Sequence, residues 1–120
     1  MMRVAVVGAS PKPERHSNMA MHALIELGHE AIPVAPGRTE ILGRKVYPTL
    51  AEVPGILDTV TMYLGARRQE AVIAEMIRKK PRRVIFNPGA ENPHAYDSLR
   101  AAGIEVLEAC TLVMLRTGQF

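Results

Sequence analysis

The stretch "VAVVGASPKPERHSN", Val4 to Asn18, decides the fold. "RVAVV", Arg3 to Val7, is a largely β-branched run with no polar alternation, which suits a strand covered on both faces and therefore a parallel sheet. Gly8 allows a tight turn and a close backbone approach. Ser17 or Asn18 then caps a helix through "MAMHALIELG", with Ala20, Leu24 and Leu27 on one face and Gly28 past its end. The connection is long beside the roughly 2–6 residues usual between a strand and a helix. A helix start offers free N–H groups and a positive dipole end to an anion. Ser10 adds a hydroxyl, and Lys12 and Arg15 add positive charge. A dinucleotide fingerprint would have three glycines here; this loop has one.

The same alternation continues outward. "EAIPVAP" (30–36) is a second strand, and Pro33 removes one ladder donor, so little sheet should lie beyond it. Residues 37–55 are irregular, with a short edge strand at Lys45 to Tyr47 and a helical turn after Pro48. "LDTVTMYLG" (57–65), "RRVIFNPG" (82–89) and "IEVLEAC" (104–110) are further strands. Between them lie two helices. In "RRQEAVIAEMIRKK" (67–80), Val72/Met76 and Ile73/Ile77 stack and Pro81 stops the helix. "NPHAYDSLRAAG" (92–103) has Asn92 as cap and Pro93 at its first position. "TLVMLRTGQF" (111–120) is apolar enough to pack back on the body as a short helix. Strands alternating with helices predict an α/β fold: a single doubly wound, Rossmann-like parallel sheet with helices on both faces and right-handed crossovers.

Composition sets the outer limits. At 120 residues the natural expectation is one domain over residues 1–120, and with no tryptophan its core must be aliphatic. The single cysteine, Cys110, excludes an internal disulfide and fits a reducing, cytoplasmic setting. No apolar run approaches the roughly 20 residues of a membrane span, and "MMRVAVVG" has no cleavage-site pattern, so no signal peptide is read. The net charge of +3 is not gathered into a nucleic-acid patch. Its densest run, "RKKPRR" (78–83), straddles a helix end and reads as a solvated cap, and no aromatic residues interleave for base stacking. The apolar tail and seven methionines serve equally as core filling or as a surface for a second copy or a partner subunit.

In a doubly wound sheet, ligands bind at the carboxyl ends of the strands. The loops gathered there are "GASPKPERHSN", "APGRTE", "LGARR", "NPGAEN" and "EACT". The second loop discriminates. A fold built for NAD places a carboxylate near the end of its second strand, for the ribose 2′-hydroxyl. Here the chain reads Val34, Ala35, Pro36, Gly37, Arg38, with no acid before Glu40. Small residues leave room for an adenosine, and Arg38 welcomes a further phosphate. The residues therefore point to coenzyme A, with its 3′-phosphate, or to NADP, with its 2′-phosphate.

The ordered set "VVGAS" with Arg15 and Ser17, "PVAPG" followed by "EILGRKVYPTLAEVP", "DTVTMYL", "NPGAEN" and "AGIEVLEACTLVML" resembles the small CoA-binding domain proteins. These are similar to the N-terminal CoA-binding domain of the succinyl-CoA synthetase alpha subunit, and the resemblance covers nearly the whole chain. It implies that Gly8, Ala9, Ser10, Arg15 and Ser17 hold a pyrophosphate and that Val34, Ala35, Pro36 and Arg38 flank the adenosine end. It further implies that Tyr63, Leu64 and Gly65 line the adenine or pantetheine path, and that Asn87, Pro88 and Gly89 face the pantetheine arm. The family often carries Asn at the position of Ala35 and Gln at that of Asn87. Cys110 follows the last strand, near a cysteine of the synthetase domain, and could face the CoA thiol; a small packed residue is the plainer reading.

Catalytic groups are sparse. The four histidines show no metal-ligand spacing. His16 reads as a phosphate contact, His94 as surface, and Glu91 and Glu108 as acids on two strand-end loops that could converge. The expectation is a small-molecule nucleotide site that binds CoA or acyl-CoA without catalysis of its own. The alternative is an NADP-dependent reductase or acyl-transfer enzyme completed by a partner subunit.

Overall fold

A computed structural model describes residues 1–120. Its main sheet has five parallel strands: β1 (Arg3–Val7), β2 (Glu30–Val34), β5 (Thr59–Met62), β6 (Arg83–Phe86) and β7 (Glu105–Glu108), in the order β2-β1-β5-β6-β7. β3 (Glu40–Ile41) and β4 (Arg44–Lys45) form a separate antiparallel hairpin. The helices are α1 (His16–Glu26), α2 (Glu70–Lys79), α3 (Tyr96–Ala101) and α4 (Thr111–Arg116).

Side chains of a strand point alternately to its two faces. Val4 and Val6 join Met21 and Leu24 of α1 and Leu115 of α4 in one buried cluster. Ala5 and Val7 join Val72 and Met76 of α2 and Leu99 of α3 in the other. Both faces of β1 are thus covered, which is why its sequence shows no polar alternation. The cores are mainly aliphatic; the aromatic pair Phe86–Tyr96 packs tilted, with centroids 4.9 Å apart. The chain runs outward from β1 to β2, then returns to place β5 on the other side of β1. That reversal leaves a crevice at the carboxyl ends of β1 and β5, where a doubly wound sheet takes its ligand.

Several local expectations are corrected. Neither Ser17 nor Asn18 caps α1: Arg15 occupies the cap position without a side-chain bond, and both polar residues are buried. Leu27 lies past the last helical turn and is exposed, while Met21 takes its place in the core. Asn92 precedes a 3-10 turn (Pro93–Ala95) and also makes no cap bond. As Pro33 suggested, little sheet lies beyond β2: it is the edge strand, and only an isolated bridge adds to it. Tyr47 bridges to β2, its N–H donating to the Pro33 carbonyl (3.1 Å) and its carbonyl accepting from the Ala35 N–H (3.0 Å). The N–H and C=O of an extended residue point to the same side, so the donor that Pro33 lacks faces away from β1 and the inner ladder stays whole. The basic run is not wholly solvated either. Arg83 is buried, donates from Nε to Thr59 Oγ1 (2.8 Å) and stacks on the Phe120 ring. No helix is long and apolar enough to cross a membrane.

Candidate nucleotide-binding cleft

The carboxyl ends of the strands open into a cleft of about 530 Å³, a size usual for small-molecule sites. Its floor begins at Gly8, held at φ +89°. A Cβ there would lie 3.3 Å from the Leu64 nitrogen and 3.3 Å from the Tyr63 carbonyl carbon, so the switch point closes only around a glycine. The Val34 carbonyl accepts from the N–H groups of both Gly8 (3.0 Å) and Ala9 (3.3 Å) and so fixes the turn.

Three buried amides brace the rim. Asn18 donates to the Ser10 carbonyl (2.9 Å) and folds the long first loop back over α1. Gln69, fully buried, donates to the carbonyls of Leu64 (2.8 Å) and Ala90 (2.7 Å) and accepts from Asn92 (3.0 Å), tying the loop after β5 to the loop after β6. Asn87 donates to Thr61 Oγ1 (2.8 Å) and the Met62 carbonyl (3.0 Å), and its Oδ1 accepts from the Thr111 N–H (2.9 Å) at the first residue of α4. Buried polar groups this completely paired hold backbone in one arrangement. Sequence reading placed Asn18 and Asn92 as caps; their amides instead serve the frame, as does that of Asn87, which also lines the cleft. Gln69 was missed, since its only signal is a polar residue just before a helix.

The cleft brings together most of the anticipated residues. Gly8, Ala9, Ser10, Arg15 and Ser17 line it from the first loop, and Ala35, Pro36 and Arg38 from the second. Tyr63 and Leu64 form the wall after β5, with Asn87, Pro88 and Cys110 beyond. Three are not brought in. The Val34 side chain is packed in the core, Gly65 opens the 3-10 turn Ala66–Arg68, and the Gly89 N–H instead meets Glu91 Oε1 (2.9 Å). Five lining residues lie outside that set, of which Arg68 and Leu112 come from this 3-10 turn and from α4 and Pro11 from the first loop. Lys12 and His16 also line it.

The cleft is polarised. Lys12, Arg15, Arg38 and Arg68 line it, and no carboxylate does. The ion pairs of the chain are Arg3–Glu30, Arg82–Asp58 and Arg82–Glu105, so none of these four cations is neutralised by one. The main-chain N–H groups of His16 and Ser17, in the first turn of α1, have no partner within the protein. Burial pushes the Tyr63 phenol up to about 12, outweighing the hydrogen bonds of Thr61 and Thr111, so this wall carries no negative charge at neutral pH. Past the cation-free end stands a second tyrosine. The Tyr96 hydroxyl donates to Glu108 Oε2 (2.6 Å) and accepts from the Asn92 N–H (3.2 Å); burial first, and then Glu108, pushes it up to about 12. Glu108 is held by this tyrosine and Glu91 by the Gly89 N–H (2.9 Å), and both carboxylates are exposed.

A doubly wound sheet with an acid-free, cationic crevice at its switch point defines a domain for an anionic nucleotide. The chain belongs to the CoA binding domain family, whose model matches residues 2–116. It is 33% identical over 105 residues to the uncharacterized protein YneT of Bacillus subtilis, covering 88% of this chain and 78% of that one. It is 35% identical over 82 residues to subunit alpha of the ADP-forming acetate–CoA ligase I of Pyrococcus furiosus; the match covers 63% of this chain and only 18% of that subunit. A crystal structure of an uncharacterized protein superposes with a TM-score of 0.91 at 39% identity, covering all of this chain and 98% of its own.

Proposed function

We propose that the cleft binds coenzyme A or an acyl-CoA and that the domain performs no chemistry of its own. The observation that carries the reading is the charge pattern of the cleft: four unpaired cations, free N–H groups at a helix start, and no acid. The pyrophosphate would lie over Gly8 to Ser10, against Arg15, His16 and the N–H groups that open α1. The adenosine would rest on Ala35 and Pro36, with Arg38 on its 3′-phosphate. Lys12 and Arg68 flank the same anions from the first and third loops. The uncharged pantetheine arm would cross Tyr63 and Leu64 toward Pro88, Cys110 and Leu112, where the cations end. Val34, Gly65, Asn87 and Gly89 would shape this path through the backbone or as frame. The domain would present its ligand to another subunit, a role consistent with its similarity to one segment of a ligase subunit.

A melting series with CoA, dephospho-CoA, NADP and NAD tests this. CoA at about 100 times its Kd adds about 2.7 kcal/mol of stability. Dephospho-CoA should bind more weakly than CoA, and Arg38→Ala should remove the difference. A wild type that binds both equally removes Arg38 from the phosphate. A protein stabilised by NADP in preference to CoA, or by neither, overturns the proposal.

A further inference from the structure

β6 and the residue after it hold the last helix at two points, and we infer that the second, Arg83 on Phe120, positions the pantetheine end of the cleft from the opposite edge of the sheet. The inference rests on the CoA reading above and makes the ligand's arm depend on residues that never touch it. Side-chain alternation puts Arg83, Ile85 and Asn87 on one face, and all three are buried. Asn87 Oδ1 accepts from the Thr111 N–H (2.9 Å) and so grips the start of α4. Arg83 lies about 13 Å back along the strand and grips the segment beyond the end of α4. Its Nη2 donates to the Phe120 carbonyl (3.2 Å), and its guanidinium lies over the Phe120 ring, 4.4 Å from the centroid. A threonine of β5 braces each grip: Thr59 Oγ1 accepts from Arg83 Nε (2.8 Å), and Thr61 Oγ1 from Asn87 Nδ2 (2.8 Å).

The second grip can be released without unfolding the sheet. Arg83 has no carboxylate partner, since the arginines in ion pairs are Arg3 and Arg82. A charge held only by a hydroxyl, a carbonyl and a ring gains most from the ring while water is kept away. Lifting Phe120 returns the guanidinium to water, and rehydration offsets part of the lost contact. The segment it frees is tied directly to the helix: the Gln119 N–H donates to the Met114 carbonyl (2.8 Å), with Gly118 turning at φ +72°. α4 has six residues, about 9 Å of helix, so a shift at its last turn is carried to its first. There Leu112, with Cys110 just before the helix, lines the cleft. The residues beneath the nucleotide half come from the loops after β1, β2 and β5 and from the start of α1, none of them from α4. The latch therefore bears on the arm and not on the phosphates.

Calorimetric titration of the wild type and Phe120→Ala with CoA, and with adenosine 3′-phosphate 5′-diphosphate, which lacks the pantetheine arm, tests this. Phe120→Ala should weaken CoA about three- to tenfold and change the truncated ligand by less than about twofold. Phe120→Tyr keeps the ring and should restore the affinity for CoA. Native-state hydrogen exchange of the unliganded proteins should show the amides of 111–116 opening faster in Phe120→Ala than in the wild type. An unchanged affinity of Phe120→Ala for CoA overturns the inference. An equal loss for both ligands also overturns it, because it traces the effect to a general loosening of the domain. A wild type that binds neither ligand overturns the CoA reading instead; the latch is then judged by exchange alone, and α4 amides no faster in Phe120→Ala overturn it.

Discussion

Gly8 sits where two strands part, and its replacement has a calculable consequence. At φ +89° an L-residue is strained, and the added methyl meets the Leu64 side chain at 3.2 Å and, at 3.3 Å, backbone of Tyr63 and Leu64 that cannot swing away. Gly8→Ala should cost about 1–3 kcal/mol in a urea unfolding titration and should abolish measurable CoA binding, because the loop must lift off β5. The position was legible in the sequence because a strand-ending glycine before a helix start has few other uses. Val34 was legible as near the site but not in its role: a carbonyl accepting two N–H groups leaves no trace in side-chain identity. Arg68 shows the complementary limit. Arg67 and Arg68 are equivalent letters in "LGARR", and only the register of the 3-10 turn sends the second one to the cleft.

At the scale of elements, α4 depends on its anchor. Six residues are too few for a helix stable by itself. Leu112 and Leu115 bury one face, and Asn87 satisfies the N–H of Thr111 at its first turn. Asn87→Ala leaves that N–H and the Thr61–Thr111 hydroxyl pair short of a partner in a buried place. We expect a loss of about 2–4 kcal/mol and amide exchange that accelerates in α4 before α1, read by native-state hydrogen exchange. Unchanged protection of α4 would show that the leucines alone hold it. The strands and long helices were readable because hydrophobic runs and 3.6-residue periodicity dominate their energetics. The rim was not: Asn18 and Asn92 belong to a residue type read by habit as caps and turns, and nothing in the sequence marks Gln69 or the bracing role of Asn87. Their partners lie as far as 26 residues away and exist only after the sheet has formed.

Across the whole molecule, charge is sorted by sheet edge. The ion pairs Arg3–Glu30, Arg82–Asp58 and Arg82–Glu105 all lie at the amino ends of strands. At the carboxyl ends Lys12, Arg15, Arg38 and Arg68 stand outside any ion pair. Surface pairs of the first kind contribute only about 0–1 kcal/mol each. Asp58 is held below the usual carboxylate range, first by its hydrogen bond from Arg82, so that pair stays charged at neutral pH. The two edges should therefore answer salt differently. Raising the ionic strength from 0.05 to 0.5 M shortens the screening length from about 14 to about 4 Å. The unliganded protein should lose less than about 1 kcal/mol of stability, while its Kd for CoA should rise roughly tenfold, because several phosphate charges face cations that no internal acid compensates. Calorimetric titration of CoA alongside urea unfolding, at matched salt, separates the two responses. An affinity indifferent to salt would mean that the cations do not grip the ligand, and that the sorting of charge serves something other than binding.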